Sequence, residues 1–230
     1  MSPPGRPKVE YRSAQHEGNP MSPQGRHDSM RSGAALALEL HTLARGIGGA
    51  LQRGLAPPAE PGPALLQPPA ATAIAAPLLA RSHAGTKARH AAQALYSRCL
   101  ADFRRRIQRG AALDDAGLGA AYFVLANLDA LHGLSPGEAE LALIERQVRH
   151  WLNGAGWHAA PLRDRQSAFE QLALLGTLVA ESAALARRQG PAAVAHVQQA
   201  ARAYLVQLLG LNPDRLRLAE TGLVLDSAAA

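Results

Sequence analysis

One stretch limits the architecture more than any other: Leu162 to Gly190, LRDRQSAFEQLALLGTLVAESAALARRQG. Phe169, Leu172, Ala173, Gly176, Val179, Ala180 and Ala183 recur at the i, i+3, i+4, i+7 spacing of one helical face. Leu174, Leu175, Leu178 and Leu185 widen that face to most of the circumference. A helix apolar nearly all round is a buried one, so the rest of the chain has to cover it on several sides. Ala173, Gly176, Ala180 and Ala183 leave one side almost flat, where a neighbouring helix can approach closely. A bulky charge at Gly176 or Ala180 is therefore expected to disrupt the fold. Gln171, Thr177 and Glu181 interrupt the apolar run, which reads as too short and too broken for the ~20 apolar residues of a membrane span. No transmembrane segment is expected. Asp164 is the expected N-cap, Arg187, Arg188 and Gly190 the cationic last turn and its glycine stop, and Pro191 the start of the next helix.

Four amphipathic patterns are available as cover. Thr86 to Arg109 has Ala92, Leu95, Tyr96, Cys99, Leu100, Phe103 and Ile107 on one face. Asp114 to Gly133 carries Leu118, Ala121, Tyr122, Leu125, Leu128 and Leu131, with Asn127 and Asp129 as polar residues in mid-helix. Ser135 to Asn153 opens on Ser135, Pro136 and Glu138, which reads as a capping box with proline at the first helical position. Leu141, Ile144, Val148, Trp151 and Leu152 are its inward positions. Pro191 to Leu211 offers Val194, Val197, Ala201, Tyr204, Leu205 and Leu208, capped by Gly210. A short helical turn over Asp214 to Leu218 is expected next. Leu216, Leu218, Leu223, Val224 and Leu225 then fold the tail back onto the bundle.

Upstream of Thr86 the pattern changes. Residues 1–85 read as a disordered, Pro-rich N-terminal region and linker. Met1 to Arg31 is polar and aperiodic, with a weak repeat (MSPPGR, MSPQGR), and Met21 and Met30 are alternative starts. Arg6, Lys8, Arg12, Arg26 and Arg31 would make it a basic arm. Leu36, Leu40, Leu43, Ile47 and Leu51 are helically spaced, but four glycines weaken that helix by ~1 kcal/mol each. Read as a signal peptide from Met30, the same segment is broken by Glu39, His41 and Arg45, so both a cytoplasmic and an exported chain are compatible with it. Seven prolines between Ala56 and Pro77 forbid any long helix there.

The chemistry is sparse. Alanine and leucine dominate, and aromatics are 4%, which disfavours a β-sandwich. The net charge of +6 is almost all arginine, a bias that genome composition produces without any anionic ligand. Arg104, Arg105, Arg106 and Arg109 could hold phosphate, or simply complement a helix C-terminus. Cys99, the lone cysteine, lies on an apolar face and reads as an inert thiol rather than a nucleophile. Asp114 and Asp115 are expected to open the second helix, where adjacent residues diverge by about 100°, so they do not converge as an acid/base pair. His150 and His158 flank Trp151 and Trp157 without the spacing of a metal motif. Asn127, Trp151 and Trp157 are candidate pocket residues. Phosphate-loop, dinucleotide, GxSxG, CxxC and calcium-loop motifs are absent from the sequence. No residue is assigned as catalytic, cofactor-binding or metal-ligating, and no cofactor is expected.

Five segments in order carry a resemblance: LYSRCLADFRRRI (Leu95 to Ile107), DDAGLGAAYFVLANLDALHG (Asp114 to Gly133), ERQVRHWL (Glu145 to Leu152), RQSAFEQLALLG (Arg165 to Gly176) and LGLNPDRLRLAETGL (Leu209 to Leu223). From Ala94 to Val224 the chain resembles a bacterial family known as domain of unknown function 6683. The resemblance implies an all-α domain, often on proteins with an export signal. It implies no established activity and supplies no functional residues. The expectation is an all-α bundle of about five helices over 86–226, behind a disordered Pro-rich region at 1–85, with a frayed tail at 227–230. The expected role is a non-enzymatic module for protein interaction or self-association. The alternative is nucleic-acid binding through the Arg104–Arg109 cluster and the basic arm.

Overall fold

The computed structural model describes residues 62–154, 157–210 and 212–226. The basic arm, the Leu36–Leu51 segment and the expected frayed tail all lie outside the described residues. The described chain is an all-α bundle with two small two-stranded sheets. Its helices are α1 (Ala75–Ala80), α2 (Thr86–Arg106), α3 (Ala116–His132), α4 (Glu138–Gly154), α5 (Leu162–Gln189) and α6 (Pro191–Leu209). Strands β1 (Leu66–Gln67) and β2 (Asp114–Asp115) pair antiparallel, as do β3 (Leu216–Ala219) and β4 (Gly222–Leu225).

Helices α2 to α6 are the five expected from periodicity. Their ends follow backbone chemistry: Gly133 and Gly210 adopt the left-handed conformation just past α3 and α6, and Pro191 opens α6. Three starts differ from expectation. Asp114 and Asp115, expected to open α3, form strand β2, and Asp115 is the N-cap of a helix that begins at Ala116. Pro161, not Asp164, is the N-cap of α5, and Asp164 sits in its first turn, where an acid still favours the helix dipole. The Ser135 capping box does not form. Ser135 has φ +47° and donates its N–H to Asp129 Oδ1 at 2.9 Å. The Gly137 carbonyl accepts the first helical bond from Leu141, and Glu140 reaches back to the Gly137 N–H at 2.9 Å. Only half of a capping box therefore forms, two residues further on, because Gly137 has no side chain to return the bond.

The core is a pair of helices rather than one. α3 was expected to offer a single stripe; instead Ala116, Gly117, Gly119, Ala120 and Ala121 are buried along with Phe123, Val124, Leu125 and Leu128. Among the ring contacts, Phe123 meets Tyr204 of α6 and Phe103 of α2 meets both Tyr122 and Phe169. α3 and α5 run parallel with close approach in both directions. A Cβ at Gly176 would lie 3.0 Å from Phe123 Cα, and one at Gly119 would lie 3.0 Å from the Phe169 ring. α4 covers α3, α1 and α2 cover α5, and α6 packs on both. Ala180 is only half-buried, so the position that cannot accept bulk is Gly176.

α5 is 28 residues long and, by length and composition alone, able to cross a membrane. Shortness is therefore not what distinguishes it. Most of its apolar stretch is buried inside the protein, as in a core helix.

The packed body begins upstream of the Thr86 boundary expected from the sequence. Leu65, Ala75, Ala76, Leu79 and Ala80 are fully buried members of the core. The prolines do forbid a long helix here, but a two-residue strand and a six-residue helix bury enough to dock. At the other end, Leu216 to Leu218 is strand rather than helix: a 3₁₀ turn over Pro213–Arg215 leads into the β3–β4 hairpin. The tail does fold back, onto α4. There the buried Gln147 amide acts as a substitute strand, donating to the Leu223 carbonyl at 3.2 Å and accepting from the Leu223 N–H at 2.7 Å.

Candidate functional site

Polar groups gather where α3 and α5 begin and α2 and α4 end. β1 pairs Gln67 with Asp114 and Leu66 with Asp115. Facing residues on one strand alternate, so the two aspartates point to opposite sides. Asp114 is 2% exposed and receives both Arg104 Nε at 2.9 Å and Nη2 at 2.6 Å, the bidentate fork of a strong ion pair. Asp115 turns the other way. It caps α3 by accepting from the Gly117 N–H at 2.9 Å and the Leu118 N–H at 3.3 Å, and it pairs with Arg149 of α4. Arg149 also binds Glu145, one turn earlier, at 2.6 Å.

Glu170 joins the first of these networks from α5. Its side chain is completely buried, and Oε2 accepts from the Ile74 N–H at 2.6 Å and the Ala75 N–H at 2.8 Å. α1 has no capping side chain of its own, so a carboxylate from α5 satisfies its first amides. Arg104 Nη2 lies 3.9 Å from Glu170 Oε1, and its guanidinium sits 6.0 Å from the Phe169 ring centroid. Burial raises the Glu170 pKa above the ordinary glutamate value. The amides of Ala75 and Ile74 and the Arg104 charge oppose the rise, and Asp114 adds to it. Burial likewise raises Glu145, with Arg149 opposing and Asp115 adding.

These carboxylates are spent on the fold. A general base needs a free oxygen within reach of a substrate. Glu170 Oε1 accepts no hydrogen bond, but it has no surface exposure. Asp114 and Asp115 do diverge, each serving a different arginine, but they do so from strand β2 and not from the first turn of a helix as expected. The network members Glu170 and Arg149, and Gln147 under the tail, were not singled out from the sequence. A signal existed for Glu170: a carboxylate one residue past Phe169, inside an apolar run, requires a partner once buried.

The other candidates disperse. Cys99 is buried. Asn127 is buried in α3 and donates back to the Phe123 carbonyl at 2.7 Å. Trp151 and Trp157 are buried core residues, and His158 bonds Asn153 Oδ1 at 2.6 Å. Among the described residues, no three His, Cys, Asp or Glu side chains group as a metal set. The arginine cluster is largely engaged: Arg104 with Asp114, Arg105 with Asp102 and Arg109 with Glu138.

Beside this cluster runs an open groove of about 590 Å³, between the approach to α1 and the C-terminal half of α2. Ala73, Ser97, Leu100 and Ala101 form its floor and sides, with Arg104, Arg105, Arg109 and Gly110 at one end. None of Asn127, Trp151 or Trp157 lines it. The helix beneath is strongly cationic: Lys87, Arg89, Arg98, Arg104, Arg105 and Arg106 stand against Asp102 alone.

Fold and site together define a class: a small all-α bundle whose buried charges act as joints between distant parts of the chain. Within that class the chain belongs to the family of unknown function DUF6683, whose model matches residues 55–226. The match reaches upstream of Thr86 and takes in β1 and α1, the segment that the structure packs into the core. No curated protein and no solved structure matches the chain.

Proposed function

We propose that this protein is a non-enzymatic helical module that binds another protein or a second copy of itself. The observation that carries this reading is how its side chains are allotted. The buried acids and their arginines serve internal joints, while Leu66, Leu113, Leu134, Leu162 and Val206 remain 42–49% exposed. Apolar side chains left in water are available to be covered by a partner. Size-exclusion chromatography with light scattering, combined with affinity capture, tests it. A strictly monomeric chain that retains no partner ends this reading.

Nucleic-acid binding is the second reading, favoured by the cationic face of α2. A groove with no aromatic side chain for stacking counts against it. Absence of a salt-dependent shift of DNA or RNA at low ionic strength removes it.

A further inference from the structure

We infer that the groove along α2 is a docking site for an acidic, amphipathic segment of a partner protein. This rests on the reading of the molecule as an interaction module and specifies the surface and its ligand.

Three features fit together. The floor is apolar and shallow, formed by Ala73, Leu100 and Ala101, so it can accept small or medium aliphatic side chains but encloses no small molecule. The rim is cationic: Arg104, Arg105 and Arg109 stand along one end. Asp114 takes Arg104 Nε and Nη2 and fixes the plane of its guanidinium, leaving Nη1 as the donor not used by that pair. Arg105 and Arg109 pair with Asp102 and Glu138 at the exposed surface. Such pairs are weak in water and exchange readily for an incoming carboxylate.

An amphipathic helix laid in the groove would place aliphatic side chains on the floor and carboxylates against the rim. A nucleic-acid strand matches the charge but leaves the apolar floor without a counterpart. The segment of this chain that builds the far wall is also the one that Glu170 holds through Ile74 and Ala75. The groove is therefore preformed by the buried joint rather than assembled on binding.

The test uses the full chain and a fluorescent helical peptide of leucine and glutamate at i, i+3, i+4 spacing. A peptide with glutamine in place of glutamate and a single-stranded oligonucleotide are the comparisons. Ala101 is exposed, so Ala101→Glu places bulk and like charge on the floor without touching the core. Ser97→Glu, also at an exposed position, is the second variant should the first fail to fold.

The expected result is binding of the acidic peptide that weakens with salt, roughly tenfold weaker in the floor variant at an unchanged melting temperature. Arg105→Ala with Arg109→Ala is expected to lose affinity severalfold and to flatten the salt dependence. Equal binding of the glutamine peptide, or undiminished binding in both folded floor variants, overturns the inference. So does binding of the oligonucleotide with no binding of the acidic peptide. If the peptide fails but the chain still self-associates, and Ala101→Glu leaves that intact, the groove assignment falls and the interaction-module reading stands. If the chain is also a monomer without partners, both fall.

Discussion

The two ends of the α3–α5 pair handle charge in opposite ways. Where these helices begin, charge is inside: Asp114, Asp115 and Glu170 are all under 10% exposed. Where they finish, it is outside: Arg187 meets Asp129 at 2.7 Å with its side chain 45% exposed. The difference follows from helix polarity. α3 brings unsatisfied N–H groups to this end, which Asp115 caps, and α1 adds a second set close by, which Glu170 caps, whereas α5 begins there without a side-chain cap. Those donors require acceptors, and carboxylates supply them with favourable dipole energy. The far end presents carbonyls, which glycine turns such as Gly133 expose to water without any buried charge. A buried charge must then be paired, which brings in Arg104 and Arg149 from α2 and α4.

The seam between the ends is the reference against which they are compared, and the largest effect is expected there. Gly176→Glu places a charged side chain against the Phe123 backbone, which cannot move aside. No cooperative thermal transition should remain by circular dichroism. A variant that melts like the parent breaks the view that one continuous seam carries both ends.

Asp114→Ala comes next. It leaves Arg104 without its fork and removes the Asp114 charge that acts on Glu170. Breaking a fully buried pair costs about 3–5 kcal/mol, and because the Arg104 side chain is 30% exposed, the expected loss in chemical denaturation is about 2–3 kcal/mol. A loss no larger than that of a surface pair would erase the distinction between the ends.

Gln147→Ala is expected to cost about 1–3 kcal/mol by leaving both backbone groups of Leu223 without their partner. Hydrogen exchange should localise the change: the Leu223 amide speeds up while the α3–α5 seam does not. Uniform acceleration would mean that the hairpin is welded into the central pair rather than docked on α4.

The charged interior also sets a pH signature. Glu170 has a folded-state pKa raised above its unfolded value, so its contribution to stability is complete below the ordinary glutamate range and is lost as pH rises through the raised value. Glu170→Gln keeps an acceptor for Ile74 and Ala75 but carries no charge. Its stability relative to the parent should therefore improve steadily as pH rises from about 4. Melting curves across that range check the sign, and a difference that does not change with pH would remove the buried charge from the account.

How much of this was readable depends on range. Periodicity located α2 to α6, and Gly133, Gly190 and Pro191 placed their boundaries closely, because these signals act within one turn. The burial of α3 was less visible. Ala116, Gly117, Gly119 and Ala120 carry little hydrophobic signal, yet Gly119 lets the Phe169 ring of α5 come close and Gly117 leaves room for the Arg149 side chain of α4. The Ser135 box failed because the serine N–H is claimed by Asp129. The segment upstream of Thr86 was misread because its prolines do exclude a long helix, while short pieces such as Leu65 and Leu79 gain stability only from tertiary packing. For the polar joints, the acids at 114 and 115 stood out, but their partners lie 10 and 34 residues away and were set by the fold. Glu170 to Ala75 spans 95 residues, beyond any local pattern.

Asp129→Ala is the smallest effect and the closest control. Asp129 makes as many contacts as Asp114: an ion pair with Arg187, and an accepted hydrogen bond from the Ser135 N–H at 2.9 Å. Contact lists alone would rank the two acids together. The comparison of the ends separates them, because the Arg187 guanidinium and the Ser135 amide both reach water when Asp129 is removed, whereas Arg104 stays partly buried beside Glu170. The expected cost is therefore about 0.5 kcal/mol, shrinking further as salt screens the pair. Parallel denaturation of the two aspartate variants at low and high ionic strength reads this directly. A cost for Asp129→Ala equal to that of Asp114→Ala would show that position along the helix pair, and with it helix polarity, does not govern what a charge contributes here.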